Sequence, residues 1–122
     1  MLYFRIVTIN LPIDTAENDW IIGNLKHAGF YRVNYDSKSW DLLIKQLNDD
    51  HDLIDRVSRA QLIDDSFNLG RAEIIDQTVF LKINQYLVKE SSPLAFIPAF
   101  NGLNIISSLI STEVDAFDAY KV

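Results

Sequence analysis

Cysteine, histidine, paired carboxylates and glycine-rich turns are the residue types from which most catalytic and ligand sites are built, and this chain uses them sparingly. It has no cysteine, which removes disulfides, thiolate nucleophiles and thiolate metal sites together. Its two histidines, His27 and His51, do not form a His-Glu-x-x-His zinc motif. His27 falls in a loop and His51 between helices, so both read as structural surface residues. The most inviting carboxylate pair is Asp64-Asp65. Neighbouring helical positions point about 100° apart, so the two would not converge on one ion or substrate. The expectation is one aspartate facing Arg59 or Arg71 and the other facing water. The four glycines, at 23, 29, 70 and 102, are too scattered for a phosphate loop. No catalytic residue and no metal ligand is therefore assigned.

Charge narrows the partners further. The net charge is -6, whereas phosphate binding needs clustered Lys and Arg. Arg56, Arg59 and Arg71 are interleaved with Asp52, Asp55, Asp64 and Asp65, an ion-paired helix face rather than a nucleic-acid surface. The seven phenylalanines and five tyrosines fit core positions better than base stacking. Hydrophobic residues reach 48% and mean hydropathy is slightly positive, more apolar surface than one small core hides. Such a surplus marks an interface, here with a larger parent or with a second copy. No secretory leader is visible. The longest apolar stretch, Leu94 to Ile110, is broken by Pro98, Asn101, Asn104 and serines, and reads as too short and too polar to span a bilayer.

The elements that would carry these residues change character at Asp36. Leu2 to Ile9 is β-branched and aromatic, a strand by composition. Trp20-Ile-Ile22 is a second short strand, and Phe30 to Tyr35 alternates, with Tyr31, Val33 and Tyr35 on one side. That is the period of a half-buried strand, and the last two segments could pair as a hairpin. Beyond Asp36 the period becomes helical. Asp36 or Ser37 can cap a helix with Trp40, Leu43, Ile44 and Leu47 on one face, ending near Asn48 to Asp50, with Asp41 placed to pair with Lys45. A second helix from about Asp52–Asp55 carries Val57, Ala60, Ile63, Phe67 and Gly70, widened by Leu62 and Leu69. A third is expected over roughly Glu73 to Lys89. The fourth is expected to be regular from Ile97 or Pro98, since an interior proline is costly. Glu113 to Lys121 would begin a fifth. The fold class so read is α+β by content, mainly α: short N-terminal strands followed by a stack of antiparallel amphipathic helices.

Several strings are distinctive in themselves. Trp20-Ile-Ile-Gly-Asn24, Gly29-Phe-Tyr-Arg-Val-Asn-Tyr-Asp36, Trp40 and Arg59-Ala-Gln-Leu-Ile-Asp-Asp-Ser-Phe-Asn-Leu69 occur in order. Together they closely resemble the C-terminal half of zinc aminopeptidases of the aminopeptidase N type, a family that includes the puromycin-sensitive and endoplasmic-reticulum aminopeptidases. The resemblance runs from about Trp20 to Lys121. It implies that residues 1–36 are terminal strands of a β-sandwich-like domain and 37–122 the first helices of the helical domain. It also implies that the zinc ligands, and the Gly-x-Met-Glu-Asn stretch holding the substrate amino terminus, belong to a catalytic domain outside this chain. No cofactor is then expected in the chain itself, with zinc confined to the parent.

The resemblance makes the segment from Trp20 to Asp36 a domain joint. Trp20, Gly29, Tyr31, Arg32, Asn34, Tyr35 and Asp36 are its expected structural residues. Tyr31, Val33 and Tyr35 would pack into the sandwich, while Arg32 and Asn34 would hydrogen-bond across to the first helices. The chain is then expected to supply architecture and peptide-cavity surface to a peptidase; its expected partners are the remainder of that parent and a peptide substrate, with self-association through apolar helix faces. The competing expectation is a stand-alone helical module of the same descent that binds a protein or peptide.

Overall fold

The computed structural model describes residue 8 and residues 17–112. The strand expected at Leu2–Ile9 and the helix expected from Glu113 lie essentially outside these residues. Four helices carry the fold: α1 (Ser37–Asp50), α2 (Arg56–Arg71), α3 (Thr78–Ile83) and α4 (Pro93–Thr112). Short 3-10 turns occupy Leu25–His27, His51–Leu53 and Asn84–Lys89.

Among the described residues there is no strand, which corrects the α+β reading. The expected hairpin of Trp20–Ile22 with Phe30–Tyr35 does not form. The alternation is nonetheless real: Val33 and Tyr35 are half-buried while Arg32 and Asn34 are exposed. Period-two patterning reports a chain with two unlike sides, and it cannot say whether a second strand lies alongside. Here polar side chains take the place of a ladder. The Asn24 amide donates to the carbonyls of Gly29 and Tyr31, and the Val33 amide donates to Asp65.

α1 begins where its sequence says it should. The Asp36 side chain accepts from the Ser39 amide at 2.7 Å, satisfying one of the free amides of the first turn. Trp40, Leu43 and Leu47 are buried. Lys45 pairs with Asp49 rather than with Asp41. α2 is capped in the same way, Asp55 accepting from Ser58 at 3.0 Å. It lies at the centre of the fold and touches α3, α4 and the Leu25–His27 turn. Contact on several sides explains why buried residues occur all round it: Ser58, Arg59, Leu62, Ile63, Asp65, Ser66 and Leu69.

The third helix starts later than expected. α2 ends in a Schellman motif: the Ile74 amide donates to the Leu69 carbonyl and the Glu73 amide to the Gly70 carbonyl. Glu73 occupies the left-handed position at φ 62°, a place usually taken by glycine. With no glycine there to announce the stop, the helical pattern reads on through it. Asp76 then accepts from the Thr78 amide at 2.8 Å, and α3 runs only to Ile83 before tightening into the 3-10 turn.

α4 starts earlier than expected, at Pro93. Proline is well suited to the first helical position, where its missing N–H leaves nothing unmade. Pro98 is accommodated inside the helix. Ala95, Ala99 and Gly102 form its buried side and allow close approach to α2 and α3. A Cβ on Gly102 would lie 2.6 Å from Phe80 and 3.0 Å from Phe67. The expectation that this stretch is too short for a membrane also needs correcting. Residues Pro93–Ser111 are long and apolar enough to cross one by length and composition.

Trp40, Leu43 and Leu47 of α1, Ile54, Leu62, Ile63 and Leu69 of and before α2, Phe80, Ile83 and Tyr86, and Ala95 and Ala99 of α4 make one core. Trp20, Ile22 and Tyr35 pack against its edge, and that edge is where the N-terminal segment meets the helices.

Candidate domain joint

The segment that carries the expected joint residues is built on one loop. Asn24 sits at φ 53°, in the left-handed region that asparagine tolerates better than most residues. From there its side chain organises the turn. Its amide nitrogen donates to Gly29 and Tyr31, both at 2.9 Å, and its oxygen accepts from the Gly29 amide at 2.8 Å. Lys26, also left-handed at φ 55°, donates its amide to Ser58 Oγ in the first turn of α2. At Gly29 a Cβ would meet the ring of the exposed Tyr31 at 2.3 Å, so a larger residue there would displace that side chain. Gly23 lies against Val33, where a Cβ would come within 3.0 Å of Cγ1.

From this loop the chain is fixed to two helices. On the α1 side, Trp20 Nε1 donates to Gln46 Oε1 at 3.1 Å. Asn34 Oδ1 accepts from Trp40 Nε1 at 3.0 Å and from the Tyr35 amide at 2.9 Å. The Tyr35 ring meets Trp40 edge-on, with centroids 5.0 Å apart, an arrangement that aromatic quadrupoles favour. The Tyr35 hydroxyl accepts from the Gly23 amide at 3.0 Å. Burial pushes the Tyr35 phenol upward in pKa, so it stays a neutral hydroxyl. Asp36 is held below the usual carboxylate range by the hydrogen bonds from Ser39.

On the α2 side the anchor is Arg32. Its Nη1 lies 2.6 Å from Asp64 Oδ2 and 3.1 Å from Asp65 Oδ1. The two aspartates therefore do meet at one group, against the expectation from their angular separation. A guanidinium arriving from outside the helix stands between two directions about 100° apart and reaches both. Neither aspartate takes Arg59 or Arg71 as the sequence reading expected. Arg59 instead turns inward to Asp52, Glu90 and the carbonyls of His51 and Ile54.

The two carboxylates are not equivalent. The Asp65 side chain is 3% exposed and that of Asp64 is 41% exposed. Burial raises the Asp65 pKa, opposed by hydrogen bonds from Gln61, the Val33 amide and Arg32 and by the charge of Arg32. Burial disfavours the charge on Arg32 too, but Asp64 and Asp65 outweigh it and its pKa is raised. These groups are committed to one another, and together they hold residues 32 and 33 against α2.

All seven expected joint residues lie on this segment, though with unequal parts. Trp20, Arg32, Asn34 and Asp36 bond to side chains or amides of the helical region; Tyr35 bonds to Gly23 and Asn34 and meets α1 through its ring on Trp40; Gly29 serves the loop; Tyr31 is exposed through its side chain and contributes its carbonyl. Asn24, Ser58, Gln46, Asp64 and Asp65 were missed as partners. The signal for Asp65 was available. Ser58, Leu62, Asp65 and Leu69 follow a helical i, i+4, i+7, i+11 stripe, and a carboxylate on a buried stripe needs a cation. Among the described residues, no group of three or more His, Cys, Asp or Glu could hold a metal ion.

Comparison with known proteins fits this geometry. The family model of the ERAP1-like C-terminal domain matches residues 20–122. Aminopeptidase N of Plutella xylostella is 42% identical over 93 residues, covering 76% of this chain and 10% of that protein. Aminopeptidase Ey of Gallus gallus is 36% identical over 94 residues, covering 77% and 10%. The thyrotropin-releasing hormone-degrading ectoenzyme of Rattus norvegicus is 39% identical over 106 residues, covering 87% and 10%. The chain thus spans about a tenth of the length of these relatives. A helical unit with its N-terminal segment anchored to α1 and α2, matched over residues 20–122, belongs to the ERAP1-like C-terminal domain family and corresponds to the C-terminal part of an aminopeptidase.

Proposed function

We propose that this chain is a non-catalytic part of a longer zinc-dependent aminopeptidase, and that its task is to fix how the helical domain sits on the domain before it. In this reading the segment up to Asp36 belongs with the preceding domain and residues 37–122 open the helical one. The parent removes N-terminal residues from peptides with a zinc-bound water, its metal ligands lying outside this chain. The helices also lend surface to the cavity that receives the peptide.

The observation that carries this reading is the Arg32 anchor. One arginine 32 residues ahead of its partner spans from the N-terminal segment to both Asp64 and Asp65 of α2. Such an anchor fixes an orientation, since a guanidinium held by two carboxylates has little freedom to slide.

The test is Arg32→Ala in the full-length enzyme. The expected result is a lower melting temperature, from a loss on the order of 1 kcal/mol for a partly exposed pair, together with a changed preference for peptide length. Unchanged melting and unchanged length preference would overturn the proposal. A second reading, a stand-alone interaction module of the same family, draws on the outward apolar residues Leu94, Ile97, Phe100 and Leu103 of α4. A His-Glu-x-x-His motif in the reading frame upstream of these residues decides against it.

A further inference from the structure

The strongest polar feature outside the joint is a buried ionic network that neither the joint nor the proposed function uses. Arg59 and Glu90 have side chains 6% and 0% exposed, with Nε 3.1 Å from Oε2. Each is also committed to a different turn. Arg59 Nη1 donates to the carbonyls of His51 at 2.9 Å and Ile54 at 3.2 Å, and lies 3.3 Å from Asp52. These are the groups of the turn between α1 and α2. Glu90 Oε1 accepts from the amides of Ser91 and Ser92 at 3.1 and 3.0 Å, directly before α4. Its other oxygen accepts from the Tyr86 hydroxyl at 2.7 Å, and the His51 ring lies against Tyr86 with centroids 5.8 Å apart.

We propose that the Arg59–Glu90 pair couples these two turns, so that the α1–α2 turn and the α3–α4 turn open to solvent together rather than separately. The physical reason is the cost of a stranded charge. If the α3–α4 turn opened alone and carried Glu90 into water, Arg59 would remain buried with only the largely exposed Asp52 as counter-charge. If the α1–α2 turn opened alone, Arg59 would stay on α2 beside Glu90 but lose Asp52 and the His51 and Ile54 carbonyls that its Nη1 meets. A buried ion whose partner leaves is strongly penalised, far beyond what the intact pair contributes. Either turn by itself therefore opens rarely, and the joint opening is the cheaper event. The carbonyls that Arg59 holds and the amides that Glu90 holds extend the coupling to the backbone of both turns.

The test is amide hydrogen exchange on the full chain under conditions where exchange follows the opening equilibrium. Two variants are compared with the parent sequence: Glu90→Gln, which keeps one acceptor oxygen for the Ser91 and Ser92 amides but loses the charge and the acceptor facing Tyr86, and Arg59→Lys, which keeps the charge but cannot reach Glu90 and the turn carbonyls from separate nitrogens. Mid-helix amides of α2, those of Leu62 and Ile63, report global unfolding. The expected result is crossed. Glu90→Gln speeds exchange at Ile54 in the α1–α2 turn by about tenfold or more beyond any change at Leu62 and Ile63. Arg59→Lys speeds exchange at Ser91 and Ser92 beyond any change at Leu62 and Ile63. If each substitution changes only its own turn relative to the α2 amides, or if all amides shift equally, the coupling is refuted. Should either variant fail to fold, the apolar double replacement Arg59→Met with Glu90→Leu keeps the question open to measurement. It removes both charges at once, and the two turns must then exchange at independent rates; continued matching of the rates would refute the role of the pair.

Discussion

Asp65 shows how much one side chain's surroundings decide. It and Asp64 are identical residues one position apart, yet only Asp65 is sealed from water. Its pKa is raised by burial, so in the folded state it holds its proton to higher pH than in the unfolded chain. The folded state then binds more protons than the unfolded one between the two pKa values, and stability falls as pH rises through that interval. In Asp65→Asn this component is absent. Thermal melts taken between pH 4 and 7 are expected to show a smaller loss of stability with rising pH in the variant than in the parent. Parallel curves would contradict the assignment. Gly102 offers a steric counterpart. Alanine ordinarily improves a helix interior by about 1 kcal/mol over glycine. Here the new Cβ would lie 2.6 Å from the buried Phe80 ring, so Gly102→Ala should destabilise by roughly 1–3 kcal/mol through overpacking. Urea unfolding, with the midpoint lowered at unchanged slope, is the measurement.

The helices that matched their sequence patterns are those with two independent signals. α1 has both a capping aspartate, Asp36, and a clean apolar face at Trp40, Leu43 and Leu47. α2 has Asp55 as its cap. α3 and α4 had ambiguous starts, for opposite reasons. α3 is delayed because Glu73 takes a left-handed position that its residue type does not advertise. α4 is advanced because Pro93 suits a first turn and the helix then tolerates Pro98. That tolerance has a measurable cost. Pro98 has no N–H with which to continue the helical ladder, so Pro98→Ala should raise stability, by about 1–3 kcal/mol. A lowered melting temperature would mean that the ring's packing outweighs the lost hydrogen bond. The N-terminal segment teaches a further point. An alternating sequence makes two faces, and whether a strand, a helix or a set of side chains covers one of them is settled elsewhere in the chain.

The whole molecule leaves much apolar surface outside. Leu94, Ile97, Phe100, Leu103 and Leu109 of α4 are exposed, as are Leu81, Val88 and Phe30. Exposed large apolar side chains in this number are consistent with a surface covered by a partner. Purified by itself, the chain is expected to bind a hydrophobic dye and to self-associate on size-exclusion chromatography. A strict monomer with no dye response would count against that. The residue strings around Trp20 and Gly29 to Asp36 were enough to place the chain among the aminopeptidases, because rare residue orders survive in one dimension. So were the caps and apolar faces of α1 and α2, which depend on neighbours within about two turns. The sequence could not show that Arg32 would reach Asp64 and Asp65, that Arg59 would turn inward to Glu90, or that residues 32–35 would be fixed to α1 and α2 without a strand partner. Those pairings join positions some thirty residues apart, and only the packed arrangement of helices brings such positions within bonding distance.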